Sequence, residues 1–185
     1  MRKKDCEKER RVKEAVIKLI LKEGIEGASI SKIAKEAGVS PATVYIYYEN
    51  KEQMLASLYQ EYTAHANSYL LDRVCCDMDG AQVIREMIYG YYEYITQNME
   101  VYSFVEQCSH CPSLNERFHS GSCQVFELIN EMKERSYLRN YSNETLSVLM
   151  FYPVKAISME FPFGDTQAKR SLEELIEILQ RAILI

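Results

Sequence analysis

The sequence predicts an all-α protein with a small helical N-terminal head and a larger helical body, about nine helices in all. Three observations predict it. Only 7 Gly and 4 Pro punctuate 185 residues, and apolar residues recur at three- and four-residue spacing through nearly every stretch between them. No alternating run of strand length stands out. With 47% apolar residues the chain can build a core, and it is too short for two large domains.

Taken in order, Val12, Ala15, Val16, Leu19 and Ile20 make one face of a first helix over about residues 6–23, with Gly24 placed to end it in a left-handed cap. Ser29 caps a short second helix carrying Ile30, Ile33 and Ala34, which stops at Gly38. Ser40-Pro41 starts a third helix of about 41–47, because the serine hydroxyl accepts an orphan N–H and proline at the first position needs none. Asn50 and Gln53 have capping-box spacing and open a fourth, with Leu55, Leu58, Tyr62, Ala66 and Tyr69 as its stripe.

After a break at Asp77–Gly80, a helix of about 80–97 is predicted through Ile84, Met87, Ile88, Tyr91 and Ile95, and a shorter one through Val101, Phe104, Val105 and Cys108. A helix over 113–135 is weakened at Gly121. Asn143 is read as the cap of the next, with Pro153 expected to kink it, and a last helix spans 167–183.

A net charge of −5 argues against nucleic acid only until its distribution is considered. Residues 1–51 carry 12 basic and 8 acidic residues; the remainder carry 10 and 19. A positive head on an acidic body points to a nucleic-acid site at the N-terminus and a different task downstream. No apolar run approaches the ~20 residues of a membrane helix, and the start reads as an amphipathic helix instead of a signal-peptide core. The chain is therefore expected to be cytoplasmic, without a membrane partner, and its six cysteines free.

Residues 29–48 are the most informative. Two short helices joined through Gly38 can be held at a fixed angle by Ile33, Ala34, Val39 and Val44, the logic of a helix-turn-helix. A helical hairpin inside a core would show the same spacing. The exposed chemistry separates the two: Thr43, Tyr45 and Tyr47 are read as lying away from Val44, Lys51 follows, and Arg2, Lys3, Lys4, Lys8, Arg10 and Arg11 precede. Hydroxyls and cations around a protruding helix suit phosphate and groove contact.

The run from Gly38-Val39-Ser40-Pro41-Ala42-Thr43-Val44-Tyr45 to Lys51-Glu52-Gln53-Met54-Leu55, preceded by Ser29-Ile30 and Ile33-Ala34, resembles the DNA-binding signature of TetR/AcrR-type transcriptional regulators. Tyr48 stands where that family usually has phenylalanine. The resemblance implies a homodimer of all-helical subunits, with a DNA-binding head at 1–48 and a ligand-binding and dimerisation body at 49–185. It places Ser29, Ser31 and Lys32 near phosphates or base edges, Ser40, Ala42, Thr43, Tyr45 and Tyr47 on the recognition helix, and Lys51 against phosphate. The implied partner is a palindromic double-stranded operator, with recognition helices roughly 34–36 Å apart.

For the body, 11 of 14 tyrosines follow Tyr48, and a small-molecule effector site is expected among Tyr62, Ala66, Tyr69, Met87, Tyr91, Phe104, Cys108, Phe126 and Met150. An inward carboxylate among Glu93, Glu106 and Glu127 would favour a cationic ligand. The apolar stripes Leu146, Met150, Val154 and Ile157, with Leu172, Leu175, Leu179 and Ile183, are expected to form a symmetric four-helix dimer interface.

No cofactor, metal site or enzymatic activity is expected: no Ser/His/Asp set, catalytic carboxylate pair or Gly-rich phosphate loop is present. The expected function is a ligand-released repressor, with the fourth helix as its lever. Two alternatives stand beside it. One is a DNA-binding adaptor whose body holds a protein partner; the other is a thiol- or metal-responsive regulator using Cys108, His110 and Cys111.

Overall fold

A computed structural model describes residues 2–111 and 123–185. Among these, nine helices form: α1 (Arg2–Gly27), α2 (Ile30–Ala37), α3 (Pro41–Tyr47), α4 (Lys51–Leu71), α5 (Gly80–Gln97), α6 (Met99–Ser109), α7 (Cys123–Glu134), α8 (Asn143–Glu160) and α9 (Thr166–Ile183). The all-helical expectation holds. The first part of the long helix predicted over 113–135, with Gly121, lies outside the described residues, as do the side chains of Arg2, Lys3 and Lys4.

Local chemistry explains most boundaries. Ser29 Oγ accepts from Lys32 N at 3.3 Å to start α2, and Ser40 Oγ from Thr43 N at 3.2 Å to start α3. At α5, Asp79 Oδ1 accepts from Gln82 N at 2.8 Å and Gln82 Oε1 from Asp79 N at 2.9 Å, a reciprocal cap where sequence reading saw only a break. At α4 the reciprocity is half made: Asn50 Oδ1 accepts from Gln53 N at 2.8 Å, while the buried Gln53 Oε1 finds no donor among the described residues. Ser142, not Asn143, caps α8, its Oγ accepting from Thr145 N at 3.2 Å. Asn143 instead takes Lys133 Nζ at 2.6 Å. The helix continues through Pro153 to Glu160.

Two compact units divide the chain within α4, between Thr63 and Ala64. The first contains α1, α2, α3, the start of α4, and α6. Its core is built on Val12, Val16 and Ile20 of α1, Ile33 and Ala34 of α2, Val44 of α3 and Met54, Leu55 and Leu58 of α4. Phe104 and Cys108 complete that core from α6, which packs on α1. The second unit contains the end of α4 with α5, α7, α8 and α9, around Ile84, Met87, Ile88, Ile129, Val154, Leu172 and Ile176.

This second core overturns the expected dimer stripe. Leu146, Met150, Val154, Leu172, Leu179 and Ile183 are 0–3% exposed within the single chain. Ile157 and Leu175 pack half-buried against the same cluster. The reason is geometric: α8 lies against α5, α7 and α9, so its inward stripe is already covered. The opposite face is apolar too, with Val148, Leu149, Tyr152 and Met159 on α8 and Ile178 on α9 exposed.

In the first unit the decisive feature is the α1–α2 joint. Gly24 takes φ 73° and ψ 171°, breaking α1 one turn before its end at Gly27. The positive φ was expected, whereas the extra turn was not. The end of α1 at Gly27 leaves carbonyls without helical donors. Lys51 Nζ donates to Ile25 O at 2.9 Å and Ala28 O at 3.2 Å, and Lys32 Nζ donates to Gly27 O and Glu23 Oε2, both at 2.7 Å. Cations at this negative helix end also suit the helix dipole.

Two expected outcomes follow from these contacts. Lys51→Met removes two charge-assisted hydrogen bonds and should lower unfolding free energy by about 1.5–3 kcal/mol, read by urea denaturation. In the second unit, hydrogen bonds from Arg85 Nη1 and Nη2, at 2.7 and 2.8 Å, and from the Tyr89 hydroxyl, at 2.7 Å, hold the Glu173 carboxyl down at about 2. A depressed carboxylate stabilises the fold above its ordinary value of 4.5, and that contribution disappears as pH falls toward 2. Arg85→Met should therefore flatten the decline of melting temperature across that window.

Candidate nucleic-acid interface

The turn between α2 and α3 is set by backbone geometry. Gly38 sits at φ 65° and ψ 37°, a left-handed conformation that costs glycine nothing. Its N–H reaches Lys35 O at 3.2 Å, while Val39 N reaches Ala34 O at 2.9 Å. These bonds satisfy the last carbonyls of α2 and reverse the chain. Pro41 then occupies the first turn of α3, and Ser40 Oγ lies 2.9 Å from Thr43 Oγ1, joining the two hydroxyls at the helix start.

Two residues fasten α3 to the first core: Val44 at 0% and Tyr48 at 6% exposure. Burial pushes the Tyr48 phenol up to about 12, so it serves as a neutral aromatic anchor. With Val44 pointing inward and about 100° per residue, positions two before and two after it point outward. Ala42 and Ile46 occupy them, and Ile46 is 76% exposed. Tyr45 joins this face at 56% exposure. Ile46 was missed by sequence reading, although the same wheel count would have found it. Tyr47, read as facing away from Val44, is instead half-buried against the core, with its ring centroid 6.4 Å from that of Tyr48.

Ser29 and Ser31 are exposed at the start of α2, and Thr43 is half-buried with its hydroxyl engaged by Ser40. Lys32 and Lys51 differ from the expectation of phosphate contact, since both ammonium groups are turned onto the α1–α2 joint. Other head cations are paired as well: Arg10 with Glu7 and Glu14, Lys13 with Glu9 and Glu61, and Lys18 with Glu36. The exposed pairs of Arg10 and Lys18 contribute only about 0–1 kcal/mol, so a phosphate can compete for either cation. Lys22 and Lys35 are exposed.

The residues expected to surround an effector fall into two groups. Tyr62, Phe104 and Cys108 belong to the first core, with Phe104 and Cys108 fully buried. Tyr69, Met87, Tyr91, Phe126 and Met150 belong to the second, and Ala66 is half-buried in the second unit. Glu93 is paired with Arg73 at 2.7 Å and accepts from the Tyr69 hydroxyl at 3.3 Å. Its charge is therefore already compensated.

The thiol alternative meets an obstacle at Cys108. Burial, helped by the neighbouring Cys111, pushes that thiol up to about 12. It stays protonated at neutral pH, whereas metal ligation and disulfide exchange require the thiolate. Cys111 also packs against the first core, and His110 is exposed.

Residues 14–58 match the family model described as "Bacterial regulatory proteins, tetR family". A fatty acid metabolism regulator protein of Bacillus subtilis is 44% identical over 48 residues, 26% of this chain and 25% of that protein. The chain thus spans about a quarter of that relative's length in the match. An HTH-type transcriptional regulator of Haemophilus influenzae is 23% identical over 175 residues, 91% of either chain. The crystal structure of a TetR family transcription regulator from Marinobacter aquaeolei superposes with a TM-score of 0.82 at 24% identity, covering 100% of this chain and 99% of that one, a likeness of fold. No helix among the described residues is long and apolar enough to cross a membrane. The helix-turn-helix geometry and the family match over it lead to one assignment: residues 14–58 form a DNA-binding module of the kind found in TetR-family transcriptional regulators.

Proposed function

We propose that the chain is a homodimeric repressor that occupies a palindromic operator and leaves it when a small molecule binds the body. The observation carrying the DNA part is α3 itself. Anchored by Val44 and Tyr48, it offers Ala42, Tyr45 and Ile46 outward from a hydroxyl-capped N-terminus at Ser40 and Thr43. Such a helix suits the major groove, with Ser29 and Ser31 at the start of α2 as companions on the backbone. The functional division proposed is a DNA-binding head of residues 1–48 and a regulatory body of 49–185.

The second copy is proposed to cover the outer face of α8 and α9. Val148, Leu149, Tyr152 and Met159 fall on one side of α8 at helical spacing and are 43–62% exposed, and Ile178 on α9 is 63% exposed. Contiguous apolar surface of this kind favours burial against a like surface. The effector site is proposed within the second unit, where half-buried Tyr69, Tyr91 and Phe126 adjoin Met87 and Met150. Burial of Cys108 weighs against the thiol alternative on α6.

Operator binding, measured by fluorescence anisotropy on a site selected from random duplexes, should weaken about 10³–10⁵-fold between roughly 50 and 200 mM salt. Tyr45→Ala should reduce operator preference by about 1–3 kcal/mol while leaving non-specific affinity and salt slope unchanged. A flat salt response would remove the DNA-binding reading. For the assembly, Tyr152→Glu with Ile178→Glu should convert a dimer to a monomer in sedimentation analysis without loss of helicity, because neither side chain belongs to the intrachain core.

A further inference from the structure

Sulfur is concentrated at one place that the DNA-binding reading does not use. Cys75 and Cys76 are both exposed between α4 and α5, and both line a cleft of about 350 Å³ in the second unit. Met78 and Met132 line the same cleft, so four of its 13 lining residues carry sulfur, against 6 Cys and 8 Met in 185 residues overall. That enrichment is about fourfold and singles out soft donor chemistry.

The backbone holds three of these donors on one turn. Met78 N donates to Cys75 O at 3.2 Å, a closure that keeps the Cα atoms of residues three apart within about 7 Å. From α7's end, Arg135 Nη1 donates to Cys76 O at 3.2 Å, while its other terminal nitrogen is paired with Glu131. The turn is thus fastened from within and from outside. No group of three His, Cys, Asp or Glu residues converges among the described residues, so the ligand set that zinc favours is not present here. Two adjacent thiols with thioethers beside them match the preference of a soft monovalent cation instead.

We propose that Cys75 and Cys76 bind one cation of the Cu(I) class as a bis-thiolate, with the Met78 thioether as a weaker third donor. Two S–H bonds break and two S–Cu bonds form; both protons leave to solvent, and neither copper nor sulfur changes oxidation state. The resulting site carries one net negative charge; the Arg135 guanidinium in the cleft wall is shared with Glu131, and Glu127 lines the same cleft.

The test uses the full chain under anaerobic conditions, titrated with Cu(I) against the chromophoric chelator bathocuproine disulfonate. The protein should withhold one Cu(I) per chain. Cys75→Ser and Cys76→Ser should each weaken retention beyond the about 10–100-fold typical of a lost outer partner, and Met78→Leu should weaken it less. Both cysteines are exposed, so the helical circular dichroism should be unchanged. Cys111→Ser, outside the cleft, should retain copper as the parent chain does. The proposal is overturned if the parent chain yields all its copper to the chelator, if the Cys75→Ser/Cys76→Ser double variant withholds as much as the parent, or if Cys111→Ser abolishes retention. No DNA enters the measurement, so these outcomes are independent of operator binding.

Discussion

The carbonyl groups left without helical partners where α1 ends and turns into α2 are the constraint on which the DNA-binding end depends. Their donors come from two lysines far apart in sequence: Lys32 in the first turn of α2, and Lys51 as the first residue of α4. One small region therefore ties together the end of α1, the entry to α2 and the start of α4. A buried or half-buried carbonyl without a partner costs about 1–3 kcal/mol, so this arrangement fixes the joint and does not merely decorate it. The orientation of α2, and through the Gly38 turn that of α3, is set relative to a scaffold secured in this way.

That arrangement also changes how the basic head is understood. An excess of cations near the N-terminus suggested a surface waiting for phosphate, yet several of those cations already hold the protein together. Arg10 and Lys18 lie in exposed pairs that exchange at little cost, Lys13 is half-buried between Glu9 and Glu61, and Lys51 is partly buried on backbone oxygen. Charge in this head thus serves two roles, one structural and one exchangeable. The distinction rests on burial and on the kind of acceptor, neither of which appears in a count of residues.

Helix α8 makes a parallel point for apolar residues. Both of its faces are rich in hydrophobic side chains, and α5, α7 and α9 cover only one. Leu146, Met150 and Val154 fill the intrachain core, while Val148, Tyr152 and Met159 remain outside. An apolar stripe by itself says that something must cover it, not whether the cover comes from the same chain. Pro153 lies within this helix without ending it, and α8 persists through residue 160.

The helices of the head, their caps at Ser29 and Ser40, the turn at Gly38 and the helix-turn-helix element were legible in the sequence. Each depends on interactions within four residues along the chain, the range over which hydroxyl capping, φ restriction and helical periodicity operate. The inward turn of Tyr47 and the outward position of Ile46 were legible in principle from the wheel anchored at Val44. The placement of α6 on α1, the capture of Lys32 and Lys51 by the α1–α2 joint, the core role of Phe104 and Cys108 and the choice of face on α8 were not. Those features depend on which surfaces meet across long sequence separations. A repeating apolar or basic pattern specifies that a side chain needs a partner; packing in three dimensions selects which partner it receives.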